Sequence, residues 1–354
     1  MTKTSKILSS ITIGLDLGNK KSHAAILDRD TGEVLETEVN STPLAFETFF
    51  AAYPGSTVVF EIGGHSRWVQ DVLDKMGLTT IAADPRRLAL ITKSHKKTDR
   101  RDAMLLAEIG AGAPGLLNSI VHRSPQVHAD LAVIKSRAMI VDMRTKIVNR
   151  IRGLAKSVGA TLEGCDAAYF FRKAPAQIPA ELHPACDPLI EILEKLHTEI
   201  LAIDKKLVKI AERYPAVSAL TQVDRVGTIT ALHFALTAED PRRFRERRRI
   251  AAYVGLVPRL SDSGDRVTQL GITKAGDRDL RRLLVLCANQ ILSSLGKDCH
   301  LKRWGLELCK RGGKNAKKRA TCAVARKLSV LLLALWCNKT KYDPMQNVAT
   351  LEAA

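Results

Sequence analysis

Four acidic side chains are placed where they can bind divalent metal ions. Asp16 lies within a short alternating apolar run, ITIGLDL, and Glu61 ends a second one, STVVFEI. A carboxylate in a buried strand is costly unless it is paired or bound to a cation. Asp99 and Asp102 stand three residues apart, which on a helix puts them on one face, where they repel each other unless a cation intervenes. Four such carboxylates can hold two Mg²⁺ ions about 4 Å apart, as enzymes of phosphoryl transfer do.

Basic residues crowd the acidic pair. They are Arg86, Arg87, Lys93, Lys96, Lys97, Arg100 and Arg101. A run of this kind is commonly a solvated surface, but beside an acidic metal site it favours steering of a phosphate backbone towards the ions. We therefore expect these residues to contact nucleic acid.

Three more basic groups lie further along the chain. The segment 135–156 holds Lys135, Arg137, Arg144, Lys146, Arg150, Arg152 and Lys156 against one acid, Asp142. The second group is Arg242, Arg243, Arg245, Arg247, Arg248 and Arg249, and the third is Lys310, Arg311, Lys314, Lys317, Lys318 and Arg319. Arginine favours bidentate contacts with phosphate. We expect nucleic-acid contacts in all three groups, and also at Lys274 and Arg281.

The composition agrees with a polyanionic partner. The 354 residues carry a net charge of +18 with a pI near 9.7, and residues 1–84 alone are acidic, at −4, so the remainder carries +22. We expect a cytoplasmic protein, because no signal peptide is evident and no apolar run approaches the length of a membrane span. The seven cysteines are odd in number and lack a CxxC pair, which indicates buried reduced thiols and no zinc site.

The elements that must position the four carboxylates can be predicted from hydrophobic periodicity. Strands are expected at 11–17, 23–27, 33–39, 56–62 and 78–83, and helices at 65–76 and 99–109. Three strands with a hairpin, followed by alternating helix and strand, form the order of an RNase H-like α/β domain. We expect this catalytic domain to occupy residues 1–120.

The remainder is predicted to be mainly helical. A helix is expected at 127–158, and a second is expected to start at Asp187-Pro188, a good N-cap followed by Pro. Its apolar residues form a heptad seam: Leu189, Leu193, Leu196, Ile200, Ile203, Leu207 and Ile210. The seam suits either packing within the chain or self-association. We expect a helical, coiled-coil region at 121–214, an α-helical domain at 215–345 punctuated by Gly, and a frayed tail at 346–354.

A weak motif stands at the start of the third region. The segment DRVGTITA at 224–231 is similar to the hairpin of helix-hairpin-helix modules, in which backbone N–H groups hold a DNA phosphate. Asp224 stands where such hairpins have their first glycine. A plain helix start is therefore an equal alternative.

Two blocks carry a resemblance to a known family: KTDRRDAMLLAE at 97–108 and GLVPRLSDSG followed by ITKAGDRDLRR within 255–282. With the four carboxylates, they resemble the DEDD-type insertion-sequence transposases, whose N-terminal domain is similar to the Holliday-junction resolvase RuvC. Pilin-gene invertases and bridge-RNA-guided recombinases belong to the same group. The resemblance covers about residues 10–340.

The resemblance implies an activity and its partners. Ser263 aligns with the serine that serves as the family's proposed nucleophile, which would form a transient phosphoserine bond to DNA. Ser261 is the rival assignment, and Asp265-Arg266 departs from the small or polar pair that is usual there. The resemblance also implies recombination of DNA with two Mg²⁺ ions, a structured non-coding guide RNA, and a homo-oligomer, either dimer or tetramer. A serine flanked by Gly264 is also good turn chemistry, so a structural role is the alternative.

Three other functions fit parts of the sequence. A RuvC-like endonuclease would use water as the nucleophile and leave Ser263 structural. IGLDLG at 13–18 also looks like the first phosphate loop of actin-like kinases and ATPases, but these proteins need neither the basic remainder nor a DxxD helix. A non-catalytic nucleic-acid-binding protein would leave the strand carboxylates without a purpose.

Overall fold

A computed structural model describes residues 10–85, 98–263 and 266–346. The chain divides into two compact units, 1–122 and 123–354. The first unit is a mixed α/β domain and the second is mostly helical, in agreement with the sequence-based fold class.

A five-stranded mixed sheet forms the centre of the first unit. The strands are β1 (Ile11–Asp16), β2 (Lys21–Asp28), β3 (Val34–Asn40), β4 (Thr57–Glu61) and β5 (Thr79–Ala83). Their order is β3-β2-β1-β4-β5, with β1, β2 and β3 antiparallel and β4 and β5 parallel to β1. All five predicted strands are confirmed. Strands β1 and β4 are apolar because they lie inside the sheet, where both of its faces are covered.

Helices cover the two faces of this sheet. They are α1 (Pro43–Phe50), α2 (Ser66–Lys75) and α3 (Asp99–Gly112), and a 3₁₀ turn follows at Pro114–Leu117. On one face, Phe46 and Phe50 of α1 pack with Phe60 and Val69 in the larger core. On the other face, Ala103 and Ala107 of α3 pack against Ala25 in a core of small residues. The small residues let α3 approach the sheet closely.

A helical hairpin opens the second unit. Helix α4 (Pro125–Ser157) and helix α6 (His183–Ala211) pack together, and short α5 (Phe170–Lys173) lies between them in sequence. Two 3₁₀ turns, Pro175–Gln177 and Ala180–Leu182, precede α6. The predicted start of the second helix was wrong, because α6 begins four residues before Asp187 and contains Pro188. His183 Nδ1 lies 2.9 Å from Asp187 Oδ1, which links the first turn to the second.

The heptad seam of α6 is used inside the chain. Leu193 is buried in one core with Val148 and Ile151 of α4, and Leu207 is buried in another with Ile134. The alternative of packing within the chain therefore accounts for the buried seam residues. The other seam residues, Leu189, Leu196, Ile203 and Ile210, are half-buried, so self-association through them stays a prediction.

The rest of the second unit surrounds one large core. Its helices are α7 (Ala216–Leu220), α8 (Thr228–Ala238), α9 (Arg249–Tyr253), α10 (Arg278–Ile291), α11 (His300–Lys310) and α12 (Ala316–Asn338), with a 3₁₀ turn at Pro241–Arg243. A hairpin of β6 (Pro258–Ser263) and β7 (Arg266–Ile272) interrupts them. The helical prediction for this region missed the hairpin.

Helix α12 corrects the expectation that no apolar run reaches the length of a membrane span. An 18-residue window of it has a mean hydropathy of 1.6, but 67% of that window is buried in the fold. Leu331, Leu332 and Leu333 are all buried in the core of the second unit. The composition of α12 is therefore explained by its position at the centre of the second unit.

Candidate active site

Two of the four carboxylates stand at the ends of adjacent strands. Leu15 of β1 pairs with Phe60 of β4 in parallel register, so Asp16 and Glu61 are the next residue of each strand. Parallel strands end at the same edge of a sheet, and the two residues are therefore neighbours there. Asp16 is half-buried, whereas Glu61 is exposed, which corrects the expectation that both carboxylates are buried.

The other two carboxylates occupy the first turn of α3. Thr98 caps this helix by accepting a hydrogen bond from the Arg101 backbone N–H at 3.3 Å. Asp99 and Asp102 follow the cap directly, where the partial positive charge of the helix N-terminus stabilises carboxylates. The start of α3 is exposed to solvent, so the two aspartates lie in its first turn without the cost of burying a helix end.

Close packing of α3 on β1 sets the position of this pair. A Cβ atom built on Gly14 would lie 2.0 Å from the carbonyl oxygen of Ala103 and 2.4 Å from the backbone nitrogen of Ala107. One built on Gly110 would lie 2.4 Å from Cγ2 of Val59. The helix therefore runs antiparallel to β1, and its first turn lies at the Asp16 end of the strand.

Gly14→Ala is expected to push α3 away from β1. The added methyl group meets backbone atoms, which cannot rotate away, so we expect a loss of about 1–3 kcal/mol in the free energy of unfolding. Urea denaturation measures this loss, and titration with Mg²⁺ should show weaker binding. Gly112→Ala, at the open C-terminal end of the same helix, is the matched control and should not destabilise the protein. Equal stability of the two variants would contradict the packing argument.

The electrostatics of Asp16 show that the four carboxylates act on one another. Burial raises the pKa of Asp16 from 3.8 to about 6, and the negative charges of Asp99, Asp102 and Glu61 add to the increase. His23 opposes it. The pKa of Asp16 thus reflects the negative charge of the three other carboxylates as well as the burial of Asp16 itself.

The donor set fits a hard divalent cation. It consists of carboxylates alone, which are the ligands that Mg²⁺ and Mn²⁺ prefer, and the raised pKa of Asp16 is an unfavourable charge that a cation would relieve. Within residues 10–85, 98–263 and 266–346, no three His, Cys, Asp or Glu side chains are closed around a common point in the manner of a finished metal site. The four carboxylates are therefore near enough to affect the pKa of Asp16, but they do not form a complete metal-binding cluster among the described residues.

His23 is a residue near this site that the sequence analysis missed. It lies opposite Asp16 in the ladder of β1 and β2, and its Nε2 lies 3.7 Å from Oε1 of Glu38 on β3. The sequence places His23 in the second predicted strand, but only the register of β2 against β1 sets it opposite Asp16. His23 lines a cavity of about 350 Å³ together with Glu36 and Arg100, which form an ion pair.

The basic residues predicted beside the acidic pair fall into two sets. Arg100 and Arg101 are exposed on the first turn of α3. The other members lie outside the described residues: Arg86, Arg87, Lys93, Lys96 and Lys97. Exposed cations thus adjoin the carboxylates at the start of α3.

The basic residues predicted in the second unit are mostly exposed. Exposed members include Arg150, Arg242, Arg243, Arg245, Lys274, Lys314, Lys317 and Lys318, while Arg144 is half-buried. Arg242 pairs with Asp240, and Arg243 lies 5.8 Å from the ring centroid of Tyr253. Arg281 instead donates hydrogen bonds from Nη1 to the carbonyls of Val254 and Ala275, which commits that nitrogen to the fold.

Ser263 belongs to the second unit. It is the last residue of β6 and pairs with Arg266 at the tip of the hairpin, next to residues 264–265, which lie outside the described residues. Ser261 stands two residues earlier in the same strand and is exposed. The four carboxylates are thus brought together in one unit, and both candidate serines lie on a hairpin of the other.

Comparison with known proteins identifies relatives for both units. A family model for transposases of the DEDD IS110 type matches residues 13–159, and one described as "Transposase IS116/IS110/IS902 family" matches residues 217–302. The chain is 28% identical to the transposase for insertion sequence element IS1111A of Coxiella burnetii, over 93% of this chain and 90% of that protein. It is 27% identical to a probable family 20 transposase of Pseudomonas aeruginosa, over 94% and 98%.

Proposed function

Because the chain belongs to the IS110 family of DEDD transposases, we propose that it cuts and rejoins DNA with Mg²⁺ at Asp16, Glu61, Asp99 and Asp102 and with Ser263 as the nucleophile. The activity, transposition, is inferred from the family. What we propose for this chain is the identity of the catalytic residues, the metal and the nucleophile.

The observation that carries the metal site is the environment of Asp16. Strand pairing and the packing of α3 gather four carboxylates, and burial together with the other three charges raises the pKa of Asp16 to about 6. All four side chains would act as metal ligands. We propose that together they hold two Mg²⁺ ions. Bound there, Mg²⁺ would offset the charge of the scissile phosphate.

The proposed chemistry of Ser263 conserves the energy of the phosphodiester. Its oxygen attacks the phosphorus, a serine–phosphate ester forms, and the bond from phosphorus to one deoxyribose oxygen breaks. That oxygen takes up the proton lost by the serine. Attack by the hydroxyl of another strand end reverses the sequence and restores both the serine and a continuous strand. The position of Ser263 as the last residue of β6 supports this role because a residue at the end of a strand is less enclosed by the sheet than one within it.

The proposed partners are DNA, a structured non-coding RNA that guides the protein, and further copies of the chain. Exposed basic residues on α4 and near Arg245 and Lys317 supply cations for a nucleic-acid backbone. Recombination joins two DNA partners, so at least two active sites must meet, as a dimer or tetramer. The half-buried residues of the α6 seam are one surface through which copies would meet: Leu189, Leu196, Ile203 and Ile210.

The alternative is a RuvC-like endonuclease that uses water as the nucleophile. The same carboxylates would serve it, and Ser263 would then be a turn residue. A strand-cleavage assay with and without Mg²⁺ tests what the two mechanisms share, and loss of cleavage with excess EDTA is expected. Full cleavage in EDTA would refute the proposed metal site for both.

We expect affinity for nucleic acid to fall steeply with salt. If ~6–10 phosphates are neutralised, the association constant should drop about 10³–10⁵-fold between roughly 50 and 200 mM salt, because bound cations are released from the nucleic acid. Fluorescence anisotropy with a labelled duplex measures the slope. Lys317→Gln with Lys318→Gln should reduce that slope, and a flat titration would contradict the proposed binding surface.

A further inference from the structure

The second unit contains a large cavity that the proposed reaction does not use. Its volume is about 770 Å³, within the range of small-molecule sites. Its wall includes Leu256, Ile272, Leu308 and Val330, and the aromatic ring of Trp304. The wall is thus assembled from the β6–β7 hairpin, α11 and α12, and most of it is apolar.

The charged residues around this cavity are all cations. They are Arg248, Lys274, Lys318, Arg319, Arg326 and Lys327. Among the described residues that line the cavity there is no Asp or Glu. A cavity with an apolar interior and a cationic rim suits a ligand that has a flat apolar part and a negative charge.

Trp304 adds the feature that distinguishes a nucleobase from an acyl chain. Its ring is half-buried in the wall, and Nζ of Lys327 lies 4.2 Å from the ring centroid. A base that stacks on this face of the ring would take the place of Lys327, whose ammonium group would then contact the adjoining phosphate.

We infer that this cavity, here called the Trp304 cavity, binds one unstacked nucleotide of a nucleic-acid strand, with the base inside and the phosphates at the rim. The inference rests on the proposed function in one respect, that the protein acts on nucleic acid. It adds an anchoring site distinct from the carboxylates and from Ser263.

The Trp304 cavity lies at the opposite end of the β6–β7 hairpin from Ser263, which suggests what a bound nucleotide would do. Leu270, Gly271 and Ile272 at the end of β7 line it, whereas Ser263 and Arg266 form the opposite end of the same hairpin. Ile272 lies six strand steps from Arg266, or about 20 Å at the usual rise. A nucleotide held in the Trp304 cavity would therefore fix a strand at a set distance from the hairpin tip.

The test compares two single-stranded probes with the full-length protein: a 20-mer of dT and a 20-mer of abasic sites with the same charge. The wild-type protein is expected to bind the dT probe about five- to a hundredfold more tightly, and Trp304→Ala should lose most of this preference. Trp304→Phe, which keeps an aromatic ring, should retain it. Ala323→Phe, which fills the cavity and leaves every rim cation, should lose it even where Trp304→Ala fails to fold.

The possible outcomes separate this inference from the proposed function. If Trp304→Ala and Ala323→Phe both keep the wild-type preference for bases, the cavity does not bind a nucleotide. If laurate occupies the cavity and the dT probe does not displace it, the ligand is an acyl anion and the inference is overturned. Equal wild-type affinity for both probes also overturns it, while the salt-dependent binding to the abasic probe would leave the proposed function standing.

Discussion

Asp16→Asn is expected to abolish DNA cleavage while making the metal-free protein more stable. The substitution removes one ligand charge, so Mg²⁺ binding and cleavage should fall by at least about 10³-fold. It also removes a carboxylate whose ionisation is unfavourable in the folded protein, with a pKa raised from 3.8 to about 6. That shift corresponds to at most about 3 kcal/mol, and to less in practice because Asp16 is only half-buried.

The pH dependence of stability follows from the sign of this shift. The folded protein holds a proton on Asp16 up to about pH 6, whereas the unfolded chain releases it near 3.8. The contribution of Asp16 to the free energy of unfolding therefore falls as pH rises from about 4 to 6, and the full penalty persists above pH 6. Asp16→Asn should lack this dependence. In the wild type, protons should compete with Mg²⁺ below about pH 6.

Glu47→Gln is the matched control for Asp16→Asn. Glu47 is exposed on α1 in the same unit and lies outside the carboxylate cluster. Thermal denaturation in EDTA at pH 5 and pH 7.5 should show stabilisation of Asp16→Asn at the higher pH and no change for Glu47→Gln. If Asp16→Asn cleaves DNA at the wild-type rate in excess EDTA, the assignment of the metal site is wrong.

The first unit could be predicted well because its signals are local. Strands β1 and β4 are short apolar runs, and the DxxD pair together with Thr98 is a helix start that needs no distant partner. What could not be predicted depends on packing between elements. The exposure of Glu61 and the pairing of His23 with Asp16 follow from sheet register, and sequence periodicity gives the strands without giving their register.

In the second unit, local rules gave two wrong expectations. Asp187-Pro188 has the form of a helix start, but Pro184 already fills the first-turn position of α6, and His183 contacts Asp187 within the helix. The β6–β7 hairpin was missed because polar residues and Gly271 conceal its alternation. The context of the fold decides both cases, since neither the added first turn of α6 nor the pairing of β6 with β7 is visible in a local pattern.

The heptad seam shows that a sequence pattern can predict a contact between helices without identifying the second helix. A 3–4 spacing of apolar residues requires a helical neighbour, and it is equally satisfied by a helix of the same chain or of another copy. Here α4 is that neighbour, and Ile134, Val148 and Ile151 supply the facing residues. Leu193, Ile200 and Leu207 are buried, whereas Leu189, Leu196, Ile203 and Ile210 are half-buried, so the sequence pattern alone does not assign the whole seam to one partner.

Ser263→Ala is expected to eliminate the covalent protein–DNA adduct and strand rejoining while DNA binding persists. The phosphodiester energy is kept only if a side-chain oxygen holds the phosphate between cutting and joining, and Ser263 at the hairpin tip is the proposed holder. Loss of a nucleophile removes the step entirely, so adduct and rejoined product should fall by at least about 10³-fold. Denaturing gels of a stalled reaction with end-labelled DNA measure both.

Ser261→Ala is the matched control, because Ser261 lies in the same strand two residues before Ser263 and has the same chemistry. It should keep the adduct and most of the activity if Ser263 is the nucleophile. Loss of the adduct in Ser261→Ala alone would transfer the role to Ser261. Wild-type reactions that leave free 5′ and 3′ ends without an adduct, with an unchanged rate in Ser263→Ala, would instead establish water as the nucleophile. In that case the carboxylate cluster would serve a hydrolytic nuclease, and rejoining would need another source of energy.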